Sequence, residues 1–294
     1  KKDSLPYAAF SRWQLDLSRD VLGYHLLYWK RKLRGNLPAL ILPAYRRDAI
    51  HVYDEERGYF SIGKELTSRI LSYTKTKGIS VSVFMLSAFK ALLYRYSGQE
   101  DLIVGIWGDN RETQANIRDT IGPVTNLLPI RTTVESGTTF SQLLHEVNQS
   151  GLEAREYHHI PFDRLVAELN LQKDMSRTAL FDVLFHYEDH PVEISGGADL
   201  SIRVIETNLG WGKYDFNLFL QRNEDIISGI LTFNKLYYSA ETISSFTGHL
   251  QYLLDNILKD DQRPLLDMPL LSASEREELL SSFSHGAVTE YGDE

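Results

Sequence analysis

The stretch VSVFMLSAFKALLYRYSGQEDLIVG, residues 81–105, decides the fold. Val83, Phe84, Met85, Leu86, Phe89, Leu92, Leu93 and Tyr96 recur too densely to leave a polar face, so this segment reads as a helix buried nearly all round or covered by another element. Ser97-Gly98 closes it, because glycine adopts the left-handed conformation that ends a helix at little steric cost. Residues 102–107 then run short, apolar and β-prone, which fits a central strand. Helix, tight turn and buried strand together specify a layered α/β domain.

Toward the N-terminus, residues 8–33 read as one helix or two, with Phe10, Trp13, Leu17, Val21, Tyr24, Leu27 and Tyr28 at three- and four-residue spacing and Gly35 as the stop. Residues 36–48 carry Pro38 and Pro43 and read as extended and irregular. Residues 50–62 read as two short strands around the turn residues Glu55-Glu56-Arg57-Gly58, and residues 64–76 as an amphipathic helix stopped by Gly78. Toward the C-terminus, residues 127–134 read as a strand. A helix at 139–157 follows, with Phe140, Leu143, Leu144, Val147 and Leu152 as its stripe. Strands are expected at 181–187, 200–205, 216–220 and 226–233, the last two as an antiparallel hairpin turning within residues 221–225. A helix at 239–258 and a short one at 274–283 precede a polar tail.

Composition removes several classes of function. The 294 residues carry a net charge of −9 with no run of five like charges, so the concentrated basic face that nucleic-acid binding requires is absent from the sequence. With no cysteine, disulfide scaffolds, thiolate zinc sites and thiol nucleophiles are all excluded, and a reducing cytoplasm is the expected compartment. The longest apolar run, residues 81–93, is broken by Ser82, Ser87 and Lys90 and falls short of the ~20 residues a membrane span needs. Lys1-Lys2-Asp3-Ser4 offers no signal-peptide core, so a soluble, untargeted chain is expected.

Two histidine constellations invite chemistry. His158-His159-Ile160-Pro161-Phe162-Asp163 resembles the HHxxxDG signature of acyltransferases that use an imidazole base. Arg164 stands where the glycine belongs and Pro161 fixes the backbone, so a helix C-terminus with histidines near its partial negative charge is the better reading. His186 and His190 have a chelating spacing only on a helix, whereas the alternation around them is that of a strand. Gly105, Gly108 and Gly122 form no phosphate loop, and no G-x-S-x-G elbow occurs. What remains are polar loops at strand ends, Trp107-Gly108-Asp109-Asn110-Arg111 and Ile121-Gly122-Pro123-Val124-Thr125-Asn126. They read equally as ligand loops and as plain turn chemistry.

Taken in order, these pieces resemble the C-terminal half of the condensation domain of nonribosomal peptide synthetases. Tyr7-Ala8-Ala9-Phe10-Ser11-Arg12-Trp13 resembles YxD[FY]AxW with Ala9 in place of the aspartate, and Tyr28-Trp29-Lys30 with Gly35 resembles YWxxxLxG. Residues 94–105, through Ser97-Gly98-Gln99, are similar to ARYSGQDDIVVG, the most specific single match. Residues 121–131 resemble IGxFVNTLPLR, with Pro123 and Thr125 as departures around Gly122 and Asn126. Residues 157–163 fall on HQDxPFE, matching at Pro161 and Phe162 and conservatively at Asp163, which accounts for the double histidine without chemistry. Asp174, Ser176 and Arg177 fall on RDxSRxPLF, Asp215 on KFDLxL, and residues 269–280 on the PLLSxxERxxLL linker.

The resemblance implies a chloramphenicol acetyltransferase-like lobe, a mixed β-sheet flanked by helices, over residues 1–271. Residues 272–294 would be a linker toward a downstream adenylation domain. It implies peptide-bond formation between carrier-bound thioesters, with phosphopantetheine on partner carrier proteins and no cofactor or metal on this lobe. The base would come from an N-terminal lobe bearing HHxxxDG, so this chain is expected to supply no catalytic residue and to be inactive alone. Gly122 and Asn126 would lie near the substrate tunnel and Trp107, Asp109 and Arg111 at its wall. The apolar helix around Phe84 and Phe89 would pack centrally or lend area to the lobe interface. Residues 122–131 look more like the condensation version than the related epimerization domain. Two other readings stay open: a non-catalytic carrier-protein-binding module, and a stand-alone acyltransferase using His158 or His159.

Overall fold

The computed structural model describes residues 5–17, 19–43, 53–112, 117–171, 177–189 and 213–284. Six strands form one mixed sheet: β1 (Glu55–Ile62), β2 (Asp101–Asp109), β3 (Thr125–Thr133), β4 (Val183–Glu188), β5 (Phe216–Asn223) and β6 (Ile226–Asn234). Their order is β1-β6-β5-β4-β2-β3. The central pairs β5–β4 and β4–β2 are parallel, and the outer pairs are antiparallel. Eight helices accompany the sheet among the described residues: α1 (Tyr7–Asp16), α2 (Arg19–Lys32), α3 (Lys64–Lys77), α4 (Val81–Ser97), α5 (Phe140–Glu156), α6 (Phe162–Leu169), α7 (Ala240–Ile257) and α8 (Ala273–Ser284). This is the expected mixed sheet flanked by helices.

Helix α4 is the centre of the core. Every residue from Phe84 to Tyr94 is buried, and Phe84 and Phe89 are fully covered from within by Phe140, Phe185 and Phe246. Central packing within the fold therefore accounts for its apolar surface. Ser80 caps its start, and Gly98 ends it in the left-handed conformation at φ 67°.

One charged side chain is carried into this core. Lys90 is 0% exposed, and its Nζ donates to the carbonyls of Leu102 (3.1 Å) and Ile130 (2.9 Å) and to Thr132 Oγ1 (3.0 Å). Three acceptors match the three N–H bonds of an ammonium, so the lysine staples α4 to β2 and β3. Burial pushes its pKa down to about 7.

Two sequence expectations are corrected. Glu55, Glu56, Arg57 and Gly58 form no turn; they are the first half of the continuous strand β1, paired with β6 from Glu55↔Asn234 to Ile62↔Ile227. Charged residues belong on an edge strand, where they discourage further pairing. Gly58 is there because a Cβ would meet Ile243 Cγ2 of α7 at 2.8 Å. Leu152 is not part of the buried stripe of α5, for it is 56% exposed. It lies five residues beyond Val147, roughly 140° around the helix from it. The hairpin turn is only two residues, Glu224 and Asp225, with Glu224 at φ 50°. The expected strand at 200–205, the start of the expected strand at 50–62, and Asp174, Ser176 and His190 lie outside the described residues.

Among the described residues no single helix is long and apolar enough to cross a membrane. The pair α3–α4 passes that test only jointly and is bent by 109°.

Candidate functional site

A groove of about 930 Å³ opens at the C-terminal ends of β2 and β4. This is where parallel strands of open α/β sheets present ligand sites. Because α4 runs into β2 through a tight turn, its N-terminus (Ile79 to Val83) lies at the same end and lines the groove with its partial positive charge. Helix α5 contributes Asn148, Gly151, Leu152 and Arg155, β2 contributes Trp107 and Asp109, and β3 contributes Thr125. The base is apolar, with Leu86, Ile106, Val147 and Phe185. At the rim of β4, Glu188 is held by His186 Nε2 (3.1 Å) and Gln221 Nε2 (3.0 Å). Asp189 accepts from Arg222 Nε (2.9 Å) and from the Tyr187 hydroxyl (3.1 Å). Both carboxylates are thus hydrogen-bonded by neighbours, and Asp189 is paired with the Arg222 guanidinium. They do not form an open cation site, and no three His, Asp or Glu among the described residues are arranged to hold a metal.

The structure places Trp107 and Asp109 in the groove lining, while Arg111, Gly122 and Asn126 do not line it. Arg111 Nη2 donates to the carbonyls of Thr120 (2.9 Å) and Gly122 (3.1 Å), fixing the loop that enters β3. Gly122, at φ 152°, lies under Tyr7, whose ring a Cβ would meet at 2.6 Å. This contact brings the first and the fourth matched motifs together. Asn126 is buried, and its carboxamide is saturated. Nδ2 donates to the carbonyls of His158 (2.9 Å) and Ile160 (2.7 Å), and Oδ1 accepts from Leu127 N (3.0 Å) and Phe162 N (3.0 Å).

The double histidine sits in that same corner. His158 is buried and its Nδ1 donates to the carbonyl of Arg155 at the end of α5, as a helix C-terminus invites. His159 is wedged among Trp13, His25 and His158, with ring centroids 5.4, 5.1 and 4.3 Å away. Burial first, then the two neighbouring imidazoles, push its pKa down to about 4. So weak a base, outside the groove lining, is poorly suited to abstract a proton at neutral pH. Tyr28 stacks on Tyr157 at 4.0 Å and donates to Glu153 Oε2 (3.0 Å), while Trp29 Nε1 donates to the Tyr157 carbonyl (2.8 Å). Pro161 caps α6, Phe162 packs against Phe181, and Asp163 Oδ1 accepts from Arg164 N (2.8 Å). Arg177 pairs with buried Asp182, and Asp215 is itself buried beside β5. These motif residues build the frame on which the groove stands.

Several groove residues are absent from the motif-based reading: Gly151, Leu152, Arg155, His186 and Glu188. His186 stood out in the sequence only by its spacing to His190, and Leu152 only as a supposed member of the apolar stripe of α5; Gly151, Arg155 and Glu188 carried no signal.

The sheet order, the buried crossing helix and the groove at the parallel strand ends define a chloramphenicol acetyltransferase-like α/β fold. A family model described as "Condensation domain" matches residues 1–280, and the chain belongs to that family. It is 30% identical over 287 residues to bacitracin synthase 2 of Bacillus licheniformis, covering 95% of this chain and 11% of that protein. It is also 30% identical over 279 residues to tyrocidine synthase 3 of Brevibacillus parabrevis, covering 94% of this chain and 4% of that protein. The chain thus spans a small part of the curated relatives it matches. The crystal structure of the X-domain from teicoplanin biosynthesis superposes with a TM-score of 0.82 at 22% identity, over 91% of this chain and 62% of that one.

Proposed function

We propose that residues 1–271 are the C-terminal lobe of a condensation domain that joins carrier-bound aminoacyl or peptidyl thioesters in nonribosomal peptide synthesis. Residues 272–294 then lead toward an adenylation domain. In that reaction the acceptor amine attacks the donor thioester carbonyl; the C–N bond forms, the C–S bond breaks, the amine proton passes to a base and the carrier's thiol departs. The groove serves as one wall of the tunnel through which phosphopantetheine arms of donor and acceptor carrier proteins present these groups.

One observation carries the reading. The chain's paired histidines are committed to packing at the α5–α6 corner, whereas a groove of about 930 Å³ stands open at the strand ends. The lobe contributes shape and positioning, and the base comes from an N-terminal lobe carrying HHxxxDG. No cofactor resides on this lobe.

The test combines this chain with such an N-terminal lobe and two aminoacylated carrier proteins, following the dipeptidyl carrier by mass spectrometry. Product is expected from the pair and none from this chain alone. Turnover by this chain alone would restore the stand-alone acyltransferase. Saturable carrier binding without product from the pair would leave a non-catalytic recruitment module.

A further inference from the structure

We propose that His186 is a proton acceptor of the groove: it takes the proton of an acceptor amine that arrives as ammonium, and Glu188, Gln221 and Phe219 position it. The inference rests on the groove being the tunnel wall. The step precedes the attack on the thioester, so it is separate from the one assigned to the base of the N-terminal lobe.

His186 and Glu188 are two residues apart on β4 and therefore project from one face of the sheet. The parallel register sets each beside a partner on β5, His186 by Phe219 and Glu188 by Gln221. Phe219 stacks on the imidazole, with ring centroids 5.3 Å apart and planes 15° from parallel. His186 Nε2 lies 3.1 Å from Glu188 Oε1, and Gln221 Nε2 donates to Oε2 of the same carboxylate at 3.0 Å. A carboxylate only accepts, so Nε2 carries the hydrogen and Nδ1 keeps its lone pair. Nδ1 makes no hydrogen bond among the described residues, and the side chain, 30% exposed, lines the groove. Stacking alone would hold the ring. The carboxylate, itself fixed by a third side chain, adds a defined tautomer and a counter-charge for the imidazolium, the arrangement that serves a histidine base.

The lining also suits a cationic group. Carboxylates of Asp109, Glu188 and Asp189 outnumber the single guanidinium of Arg155 there. Arg111 and Arg222 pair with Asp109 and Asp189 from outside the lining. An α-amine, with an ordinary pKa of about 7.7–8.0, is mostly ammonium at pH 7 and then has no lone pair for attack. In the proposed step its N–H bond breaks, the proton joins Nδ1 and the amine keeps the electron pair. The imidazolium, paired with Glu188, later passes the proton to water.

The test follows single-turnover dipeptide formation by this chain with an N-terminal HHxxxDG lobe and two aminoacylated carriers, from pH 6.5 to 9.5. At pH 7 only about a tenth of an α-amine is free, so His186→Asn is expected to slow the reaction about tenfold there and to approach the parent near pH 9. The acceptor-carrier concentration for half-maximal rate stays unchanged. Glu188→Gln shifts the profile the same way by a smaller factor, and it decides by the same criteria if His186→Asn does not fold. A loss equal at every pH, or a parent-like rate at pH 7, overturns the inference and leaves the tunnel wall standing. If the parent pair forms no dipeptide, the tunnel-wall reading fails and the inference fails with it.

Discussion

The carboxamide of Asn126 accepts the backbone N–H of Phe162 at 3.0 Å, so the start of β3 holds the first residue of α6 in place. The same side chain donates to the carbonyls of His158 and Ile160. One buried residue thereby satisfies the turn that ends α5 and begins α6, and α5 is the helical wall of the groove.

Removing that clamp leaves buried donors and acceptors unpaired. Asn126→Ala is expected to cost about 2–4 kcal/mol in urea unfolding, the range for breaking a buried hydrogen-bond network. Asn126→Asp should be at least as damaging, because it turns an acceptor toward two carbonyl oxygens. An Asn126→Ala variant as stable as the parent would show that the corner is held by packing alone.

Lys90 makes stability depend on alkaline pH. Its folded pKa, pushed down to about 7 by burial, lies below the unfolded value of 10.5. Between these values the unfolded chain binds more protons, so this group's contribution to stability rises with pH across that window. The urea midpoint should climb from pH 7 toward pH 10 in the parent relative to Lys90→Met, which cannot titrate. Lys90→Ala adds a cavity and should cost about 2–5 kcal/mol at pH 7. Parallel pH profiles for parent and Lys90→Met would refute the titration.

Acid should loosen the corner where α1 and α2 meet the paired histidines. His159 is held down to about 4 and His25 is also lowered, both chiefly by burial. Facing them are His158 and the backbone carbonyl of Tyr157 from the α5–α6 corner, Glu156 of α5, Trp13 of α1 and Tyr24 of α2. Their depressed values mean that the unfolded chain takes up protons first as pH falls below 6.5, so stability declines between about pH 6.5 and 4. Hydrogen exchange at pH 5 should report faster opening of α1 and α2 than at pH 7.5, and His159→Phe should flatten that difference. Equal protection at both pH values would count against the linkage.

If the paired histidines only pack, their replacement should affect folding and leave chemistry alone. In the complemented condensation assay His159→Phe is expected to keep kcat within about threefold of the parent once the folded fraction is matched, whereas losing a general base costs 10²–10⁴-fold. A drop of the larger size would return His159 to the catalytic candidates.

Much of this was legible in one dimension. The density of apolar residues from Val83 to Tyr96 already required a buried helix, and Gly98 with the β-prone residues after it required a turn and a strand, because helix and strand periodicities are local properties of the chain. The motifs around Trp13, Gly122 and Phe162 marked the positions that build the α1, β3 and α6 corner. Glu55 to Gly58 misled because a charged edge strand and a polar turn share a composition; pairing with β6 distinguishes them.

Three of the four partners of Asn126 lie more than thirty residues away, as do those of Lys90 on β3. No local pattern specifies which carbonyls a buried amide or ammonium will reach. The groove is likewise a product of topology: β2 and β4 become parallel neighbours only when the sheet assembles, and Gly151 and Leu152 acquire meaning only when α5 turns that face toward the strand ends. By itself, the sequence determined the elements, their burial and the family likeness, which follow from residue type and spacing. Only the tertiary structure decided which polar groups are spent on holding the frame and which surface stays open for a ligand, because hydrogen bonding and burial depend on neighbours distant along the chain.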